Sequence, residues 1–252
     1  MAEQNRSMKT MEVVRSILIL VWVSITVPLI ASLVVLASLF NRIWARKIGR
    51  GWCKNFVKMA GLRIETVNMD RISTDKRYVL IVNHSSHLDI PIIMSIFPFH
   101  VSFIAKKELF QIPFFGWGIA AMGQVSVDRS NARNARKSIT KAVEMLKEKD
   151  ISLVLFPEGT RSPDGKVGDF KQAAFALALE SGATVVPIYL GGTHDVLPKK
   201  RLLVKPGTIT LHIGEPLEPE RVGEYNKRTL SEHMHRQIVS MQQNEVSDLC
   251  AG

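Results

Sequence analysis

The sequence predicts an α/β fold in which helices flank a largely parallel sheet, preceded by an N-terminal helical segment suited to membrane anchoring. Three observations predict this fold. A long apolar stretch lies near the N-terminus, strands alternate with helical patterns after residue 64, and polar motifs directly follow several of those strands. We therefore expect an anchor and interfacial helix over residues 1–64 and an α/β domain over residues 65–252.

The composition is that of a folded, basic chain. Hydrophobic residues make up 46% of the 252 residues, which is enough for a core and too many for a disordered chain. The formal net charge of +10 implies anionic partners, which could be nucleic acid, an acidic membrane surface or phosphorylated substrates. Cys53 and Cys250 lie far apart, so the sequence predicts neither a disulfide framework nor a zinc site, as expected on a reducing cytosolic side.

The apolar stretch extends from Ser16 to Phe40 and contains no charged residue. A bilayer span requires about 20 predominantly apolar residues, so this stretch is long enough. A signal peptide is the alternative, but the stretch is longer than a typical signal and no clear cleavage site follows it. Pro28 could kink the helix or let it dip into one leaflet and return, so spanning and dipping both stay open.

Basic residues flank the apolar stretch on both sides, and the positive-inside bias favours a cytoplasmic C-terminal domain. We therefore expect the protein at the cytoplasmic face of the inner (plasma) membrane. The next segment, Trp44 to Leu62, mixes aromatic and aliphatic residues with arginine and lysine. It is either an interfacial helix with its cations toward anionic headgroups or an ordinary amphipathic helix packed on the domain.

Short apolar runs predict the strands of the sheet. The candidates are Tyr78–Val82, Val101–Ala105, Gln124–Val127, Leu153–Phe156 and Val185–Leu190. Between them, helical periodicity follows Ser130, a candidate N-cap, and a second helix is predicted over Lys171–Ser181, with Gly182 placed to end it. Tyr225–Leu249 predicts a polar terminal helix. Strands that alternate with helices in this way indicate a largely parallel sheet.

The first polar motif, Asn83-His84-Ser85-Ser86-His87-Leu88-Asp89, directly follows the Tyr78–Val82 strand. Open α/β sheets bind their ligands at this edge. Helix capping by Ser86 and Asp89 is one interpretation, and a metal site formed by His84, His87 and Asp89 is a second. In the third, Asp89 bonds one imidazole nitrogen of His84 and leaves the other to remove a hydroxyl proton.

We prefer the His–Asp interpretation of this motif. Capping alone does not explain a His–Asp pair at the end of a strand, and a metal site would need ligands from a second segment, for which His194, Asp195 and His212 are the later candidates. The sequence contains no G-x-S-x-G motif, and neither cysteine has a nucleophile's context. The attacking group would then be a hydroxyl of the substrate itself.

Charged residues follow other predicted strands as well. The block Phe156-Pro157-Glu158-Gly159-Thr160-Arg161-Ser162 combines a glycine that allows close backbone approach with Arg161, whose planar guanidinium suits a phosphate. Arg129 ends a strand just before a helix N-terminus, a favourable place for an anion, although a solvated surface arginine is the alternative. Lys106 and Lys107 also follow a strand. Four strand ends thus direct His–Asp, Lys, Arg and Glu–Arg toward one rim.

In this order, the motifs resemble those of the 1-acyl-sn-glycerol-3-phosphate acyltransferases, also called lysophosphatidic acid acyltransferases. The resemblance extends from Tyr78 to Leu190. Its blocks are the N-H-x-x-x-x-D motif at Asn83–Asp89, a block ending in arginine at Gly123–Arg129, the F-P-E-G-T-R-S motif at Phe156–Ser162 and a proline-containing strand at Val185–Tyr189. An isolated H-x-x-x-x-D is weak evidence, whereas the ordered set is specific.

The resemblance implies a reaction in phospholipid biosynthesis. The enzyme would move an acyl chain from acyl-CoA or acyl-carrier protein to the sn-2 hydroxyl of lysophosphatidic acid, giving phosphatidic acid, with His84 as general base oriented by Asp89. Lys106 would help to stabilise the developing oxyanion. The implied substrate-binding positions are Arg129, Glu158, Gly159, Thr160 and Arg161. No metal or prosthetic cofactor is required, and the same pair could instead serve glycerol 3-phosphate or another lysolipid.

The implied partners are a phospholipid bilayer, lysophosphatidic acid and the thioester donor, with no nucleic acid. A non-catalytic protein that binds membranes or nucleic acid is the alternative that the basic charge allows. Proteins that stack bases interleave aromatic and basic residues, whereas here Phe and Trp cluster in the apolar run Ile112–Trp117. Ile90–Phe97 and Ile112–Ala121 either line a groove for the acyl chain or pack in the core.

Overall fold

The computed structural model describes residues 2–127, 132–148 and 151–251. Two long helices open the chain, α1 (Ala2–Phe40) and α2 (Arg42–Met59), and α1 continues through Pro28 without interruption. The chain turns at Asn41, whose extended backbone ends α1 and whose side chain accepts a hydrogen bond from the Ile43 N–H at 2.7 Å. This is a standard N-cap for α2.

Aromatic contacts join the two helices. The Trp22 and Trp52 rings stack with centroids 5.5 Å apart, Phe56 stacks on Trp52, and the Trp52 indole N–H donates to Thr26 Oγ1 at 2.9 Å. α2 buries one face against the domain, through Ala45, Gly49, Cys53, Phe56 and Val57. The helix is thus packed on the protein along one face, while Ile43 and Trp44 are exposed, so the interfacial alternative stays open.

α1 has a protein-facing side and an outward side along most of its length. Its buried residues are Ser16, Ile19, Ala31, Val34 and Ala37. The outward side exposes large apolar residues, among them Leu18, Val21, Ile25, Leu29, Leu36 and Leu39. Within the described residues, Met11–Phe40 is long and apolar enough to cross a membrane, judged by length and composition.

The described residues form a seven-stranded sheet in the order β1-β7-β6-β2-β5-β3-β4. Its strands are β1 (Leu62–Val67), β2 (Tyr78–Val82), β3 (Val101–Lys106), β4 (Val125–Val127), β5 (Ser152–Leu155), β6 (Thr184–Gly191) and β7 (Gly207–Ile213). All neighbouring pairs are parallel except β6 and β7. The predicted α/β class with a largely parallel sheet is confirmed.

Helices cover both faces of this sheet. After α2 they are α3 (Asp89–Ile96), α4 (Phe115–Ala121), α5 (Ala132–Glu148), α6 (Phe175–Ser181), α7 (Thr193–Val196), α8 (Pro219–Val222) and α9 (Lys227–Ala251). Leu80 and Val82 of β2 face a core shared with α2 and α3, whereas Val79 and Ile81 face a core shared with α5, α6 and α9. A strand buried on both faces is a continuous apolar run, which is why β2 was predictable.

The structure corrects the sequence prediction at several elements. β1 and β7 were not predicted, and the expected boundary between residues 64 and 65 falls within β1. The helix predicted from Lys171 begins at Phe175, because Gln172–Ala174 first form a 3-10 turn. It ends where expected, at Gly182 with φ of 63°, a left-handed conformation that favours glycine. The proposed N-cap Ser130 lies outside the described residues.

Candidate active site

The loop that leaves β2 is fixed to the neighbouring strand β6 by a single side chain. The Asn83 amide donates to the Leu190 carbonyl at 3.0 Å and accepts from the Leu190 N–H at 2.7 Å. Asn83 thus pairs with the backbone as an additional strand residue would. It holds the following residue, His84, at the carboxyl edge of the sheet, where ligands of open α/β sheets bind.

His84 and Asp89 form the predicted pair. His84 Nδ1 lies 2.6 Å from Asp89 Oδ2, and the same oxygen accepts the backbone N–H groups of Ser85 and Ser86 at 2.9 and 3.0 Å. The Asp89 side chain is completely buried. Because a carboxylate only accepts hydrogen bonds, the neutral imidazole in this position carries its proton on Nδ1 and presents a lone pair on Nε2.

The bond from Ser86 N–H to Asp89 is one half of the predicted capping box. The Ser86 hydroxyl does not complete it. That oxygen instead accepts from the Leu88 N–H at 3.2 Å and donates to the Leu197 carbonyl at 2.9 Å. α3 begins at Asp89 after Leu88, which makes no side-chain capping bond, so the predicted helix capping by Ser86 and Asp89 is not completed, whereas the His–Asp contact is formed.

The imidazole of His84 is seated on an aromatic surface. It stacks on Phe156 with centroids 4.2 Å apart, and Phe156 in turn stacks on Phe103 of β3 at 5.9 Å. Only 17% of the His84 side chain is exposed. The stack on Phe156 and Phe103 therefore fixes the plane of the ring, and the bond to Asp89 fixes its rotation within that plane.

Glu158 binds the backbone of His84. The His84 N–H donates to Glu158 Oε1 at 3.0 Å, and the Ser162 N–H donates to the His84 carbonyl at 2.7 Å. The two strand-end motifs therefore form one hydrogen-bonded unit. Glu158 is buried, and this burial raises its pKa to about 7, with a smaller contribution from the charge of Asp89.

Gly159 and Arg161 lie in the turn that follows Glu158. Gly159 has φ of 70°, and a Cβ added there would lie 3.0 Å from Lys171 Nζ, so a side chain would be strained and crowded. Arg161 is half-buried and Thr160 is exposed. Lys199 Nζ donates to the Arg161 carbonyl at 2.7 Å and to Thr160 Oγ1 at 3.3 Å.

Lys171 and Lys199 are cations that the sequence analysis missed. Lys199 opens the basic run KKR, which carries no motif, and it is distant in sequence from the turn that it contacts. Thr193 was missed for the same reason, although its hydroxyl lies 2.7 Å from that of Ser85. Only the fold brings these residues to the predicted motifs.

The other predicted residues are less closely placed. Lys106 ends β3 on the same edge of the sheet and is exposed, while Arg129 lies outside the described residues. His87 is exposed, and its pKa is lowered by partial burial and by the nearby charges of Arg161 and His84. Lys106, Arg161 and Lys199 are thus basic residues that the described part of the chain brings to this edge.

The alternative metal site is not formed by the described residues. Among them, no group of three or more His, Cys, Asp or Glu side chains is arranged to hold a metal ion. The ring of His194 instead lies against Gly165, and His212 Nε2 lies 3.8 Å from Glu245 of α9.

Comparisons with known proteins identify a family for the chain. A family model described as Acyltransferase matches residues 63–191. The chain is 37% identical over 147 residues to the 1-acyl-sn-glycerol-3-phosphate acyltransferase of Limnanthes alba, covering 58% of this chain and 52% of that protein. It is 31% identical over 192 residues to the Pseudomonas aeruginosa protein of the same name, covering 73% and 74% of the two chains. The chain spans about half the length of the first plant relatives it matches.

A solved structure covers nearly the whole molecule. The crystal structure of the 1-acyl-sn-glycerophosphate (LPA) acyltransferase PlsC from Thermotoga maritima matches with a TM-score of 0.81 and 27% identity, over 97% of this chain and 98% of that one. The family model matches just over half of the chain and includes both strand-end motifs. The resemblance expected from the motifs is confirmed, and the chain belongs to the acyltransferase family.

Proposed function

We propose that the protein is a 1-acyl-sn-glycerol-3-phosphate O-acyltransferase that converts lysophosphatidic acid to phosphatidic acid in phospholipid biosynthesis. The observation that carries the proposal is the buried Asp89 carboxylate bonded to His84 Nδ1, which leaves Nε2 as a base at the ligand-binding edge. The names of the relatives support the same acceptor and reaction.

In the proposed mechanism, His84 Nε2 takes the proton of the sn-2 hydroxyl while the hydroxyl oxygen attacks the carbonyl of an acyl-CoA or acyl-carrier-protein thioester. The resulting tetrahedral oxyanion re-forms the carbonyl and expels the thiolate, which takes the proton from Nε2. The products are phosphatidic acid and a free thiol. Asp89 fixes the tautomer and stabilises the imidazolium that forms between the two proton transfers.

The remaining residues bind and position the substrate in this proposal. Arg161 offers a planar, charged fork to the phosphate, and Gly159 lets the backbone of the turn come close to the glycerol. Arg129 is a further phosphate ligand, and Lys106 stabilises the oxyanion from the end of β3. The chemistry uses the substrate's own hydroxyl, and no step in it needs a metal or a prosthetic group.

We also infer that the protein works at a bilayer, on the cytoplasmic face of the inner membrane. The outward side of α1 presents an apolar surface over several turns, including Ile25, Leu29 and Leu36, each more than half exposed. Surfaces of this kind mark membrane or protein contacts. The net charge of +10 complements anionic lipids, and lysophosphatidic acid is itself a membrane lipid with an anionic headgroup.

The test is acyl transfer to 1-oleoyl-lysophosphatidic acid in detergent micelles, followed by thiol release, for wild type and His84→Ala. General-base catalysis contributes roughly 10²–10⁴-fold, so we expect a loss of that size with retained circular dichroism and micelle binding. Full activity of His84→Ala would remove His84 as the base. If the wild type acylated glycerol 3-phosphate but not lysophosphatidic acid, the acceptor would be wrong and the mechanism would stand.

A further inference from the structure

A short segment between α7 and β7 combines exposed apolar and basic residues. We call residues Lys199–Lys205, with the sequence KKRLLVK, the basic-apolar loop. Leu202 and Leu203 are 72% and 40% exposed, and Lys200 and Arg201 beside them are exposed as well. Two adjacent leucines directed to solvent have no role in the core, and the site described above does not use them.

The loop is held against α1. Val204 is buried, and its N–H donates to Ser16 Oγ at 2.9 Å, while the Lys205 N–H donates to the Val196 carbonyl at 3.0 Å. These bonds fix the base of the loop and leave its tip exposed. On α1, Val13 and Leu20 lie about one turn to either side of Ser16 and are exposed, whereas Ile19, also one turn from Ser16, is buried. The loop is therefore attached to α1 within about one turn of exposed apolar residues, and Leu203 directly precedes the point of attachment.

The other end of the loop reaches the candidate active site. Lys199 donates to the carbonyl of Arg161 and to the hydroxyl of Thr160. Arg161 is the residue that we assign to the substrate phosphate. The loop therefore connects its exposed tip directly to the turn at Arg161, where we place the phosphate of the substrate.

We propose that the basic-apolar loop is a contact with an anionic lipid bilayer, in addition to α1. Leu202 and Leu203 enter the acyl boundary, and Lys200 and Arg201 lie among the anionic headgroups. Apolar side chains flanked by cations match the boundary between acyl chains and anionic headgroups, where leucines can be buried while the cations stay hydrated. The contact with lipid does not depend on the proposed function. Only the purpose of the contact rests on it, which is to bring the phosphate-binding turn at Arg161 to the depth of the headgroups.

The experiment compares wild type with Leu202→Asp/Leu203→Asp. The matched control is Val246→Asp. Val246 is an apolar residue of α9 that is 54% exposed, and α9 packs on the sheet face opposite to the one whose core includes Ile19 of α1. Sedimentation with vesicles of phosphatidylcholine and phosphatidylglycerol measures binding. Activity is measured on oleoyl-lysophosphatidic acid in those vesicles and on a hexanoyl analogue dissolved as monomers.

We expect the double variant to bind the anionic vesicles at least about tenfold more weakly, since each buried leucine is worth about that factor or more. Activity on the vesicle substrate should fall in parallel, while activity on the soluble analogue stays within about twofold. The control should match wild type in all three. Unchanged vesicle binding by the double variant overturns the proposal, whatever happens to activity.

The binding measurement is independent of catalysis, so absence of acyl transfer in the wild type would reject the proposed function and leave the loop under test. If the double variant fails to fold, Leu202→Cys in a Cys250→Ser background replaces it. An environment-sensitive fluorophore on that cysteine should shift to the blue with anionic vesicles and be quenched by lipids labelled near the headgroup. An unshifted spectrum with vesicle-bound protein overturns the proposal.

Discussion

Asp89 uses one carboxylate oxygen for both local folding and the proposed chemistry. Its Oδ2 accepts the backbone N–H groups of Ser85 and Ser86, in the loop before α3, and also the imidazole N–H of His84. Asp89→Asn keeps the shape but removes the charge, and its amide competes to donate to the ring. The wrong tautomer of His84 then becomes accessible.

We expect Asp89→Asn to lower kcat by about 10²–10⁴-fold, with a much smaller change in KM for lysophosphatidic acid. The KM should change little because the substrate does not contact Asp89 in the proposed mechanism. Steady-state kinetics in micelles checks this, with the exposed Asp75→Asn as control. An Asp89→Asn enzyme whose kcat stays within about twofold of wild type would contradict the assigned orientation role.

Glu158 predicts a specific pH dependence of stability. Burial raises its pKa to about 7, whereas an unfolded glutamate titrates near ~4.3. The folded state therefore binds the proton more tightly, and stability contributed by the protonated group is lost as the pH rises from about 4 to about 7. The full effect is at most about 4 kcal/mol in the free energy of unfolding.

We expect Glu158→Gln to remove this fall in the free energy of unfolding with rising pH, because the amide oxygen can still accept from the His84 N–H without carrying a charge. Urea unfolding between pH 5 and pH 8 should show a flatter profile for Glu158→Gln than for wild type. The variant should also be the more stable of the two at pH 8. Parallel profiles for the two proteins would show that Glu158 is not buried as described, and the exposed Glu65→Gln serves as control.

At the scale of elements, the contact between α1 and α2 depends on one indole. Trp52 stacks on both Trp22 and Phe56 and donates its N–H to Thr26, whereas Trp44 on the same helix is 61% exposed. We expect Trp52→Ala to lower the free energy of unfolding in detergent by about 3 kcal/mol, and Trp44→Ala by less than about 1 kcal/mol. Equal effects would mean that the helix pair does not hold together through this stack.

The elements that could be predicted from sequence are those whose burial is uniform. β2 and β6 are buried at every residue and give unbroken apolar runs, so their limits were close to correct. β1 lies at a sheet edge and exposes most of LRIETV, so its apolar signal is weak. β7 does alternate, with Ile209, Leu211 and Ile213 buried, a strand pattern that the sequence analysis overlooked.

At the scale of the whole molecule, the site divides into residues that share a motif and residues that do not. His84 and Asp89 are five positions apart and Glu158 and Arg161 three, so their chemistry could be inferred from local sequence. Lys199 and Thr193 reach the site from beyond β6. Only the packing of parallel strands brings such residues together, and no local pattern encodes it.

The placement of α1 relative to a bilayer is also a property of the whole molecule. Its protein-facing residues extend from Ser16 to Ala37, which is about 32 Å of helix and as long as a bilayer core is thick. A helix that packs against the rest of the protein over that distance cannot be surrounded by lipid, and the polar surface of the domain cannot enter the hydrocarbon. We therefore expect α1 to lie along the membrane surface with its outward side immersed.

Fluorophores on single cysteines at Leu18, Leu29 and Leu39, each more than 60% exposed, test this in a Cys250→Ser background. A helix lying along the surface places all three labels at similar depths, about 5–10 Å into the boundary between headgroups and acyl chains. A spanning helix would place Leu29 about 15 Å deeper than the other two, which would sit at opposite interfaces. Depth-dependent quenching by lipids labelled at different acyl positions distinguishes the two arrangements, and a deep Leu29 with shallow ends would reject surface placement.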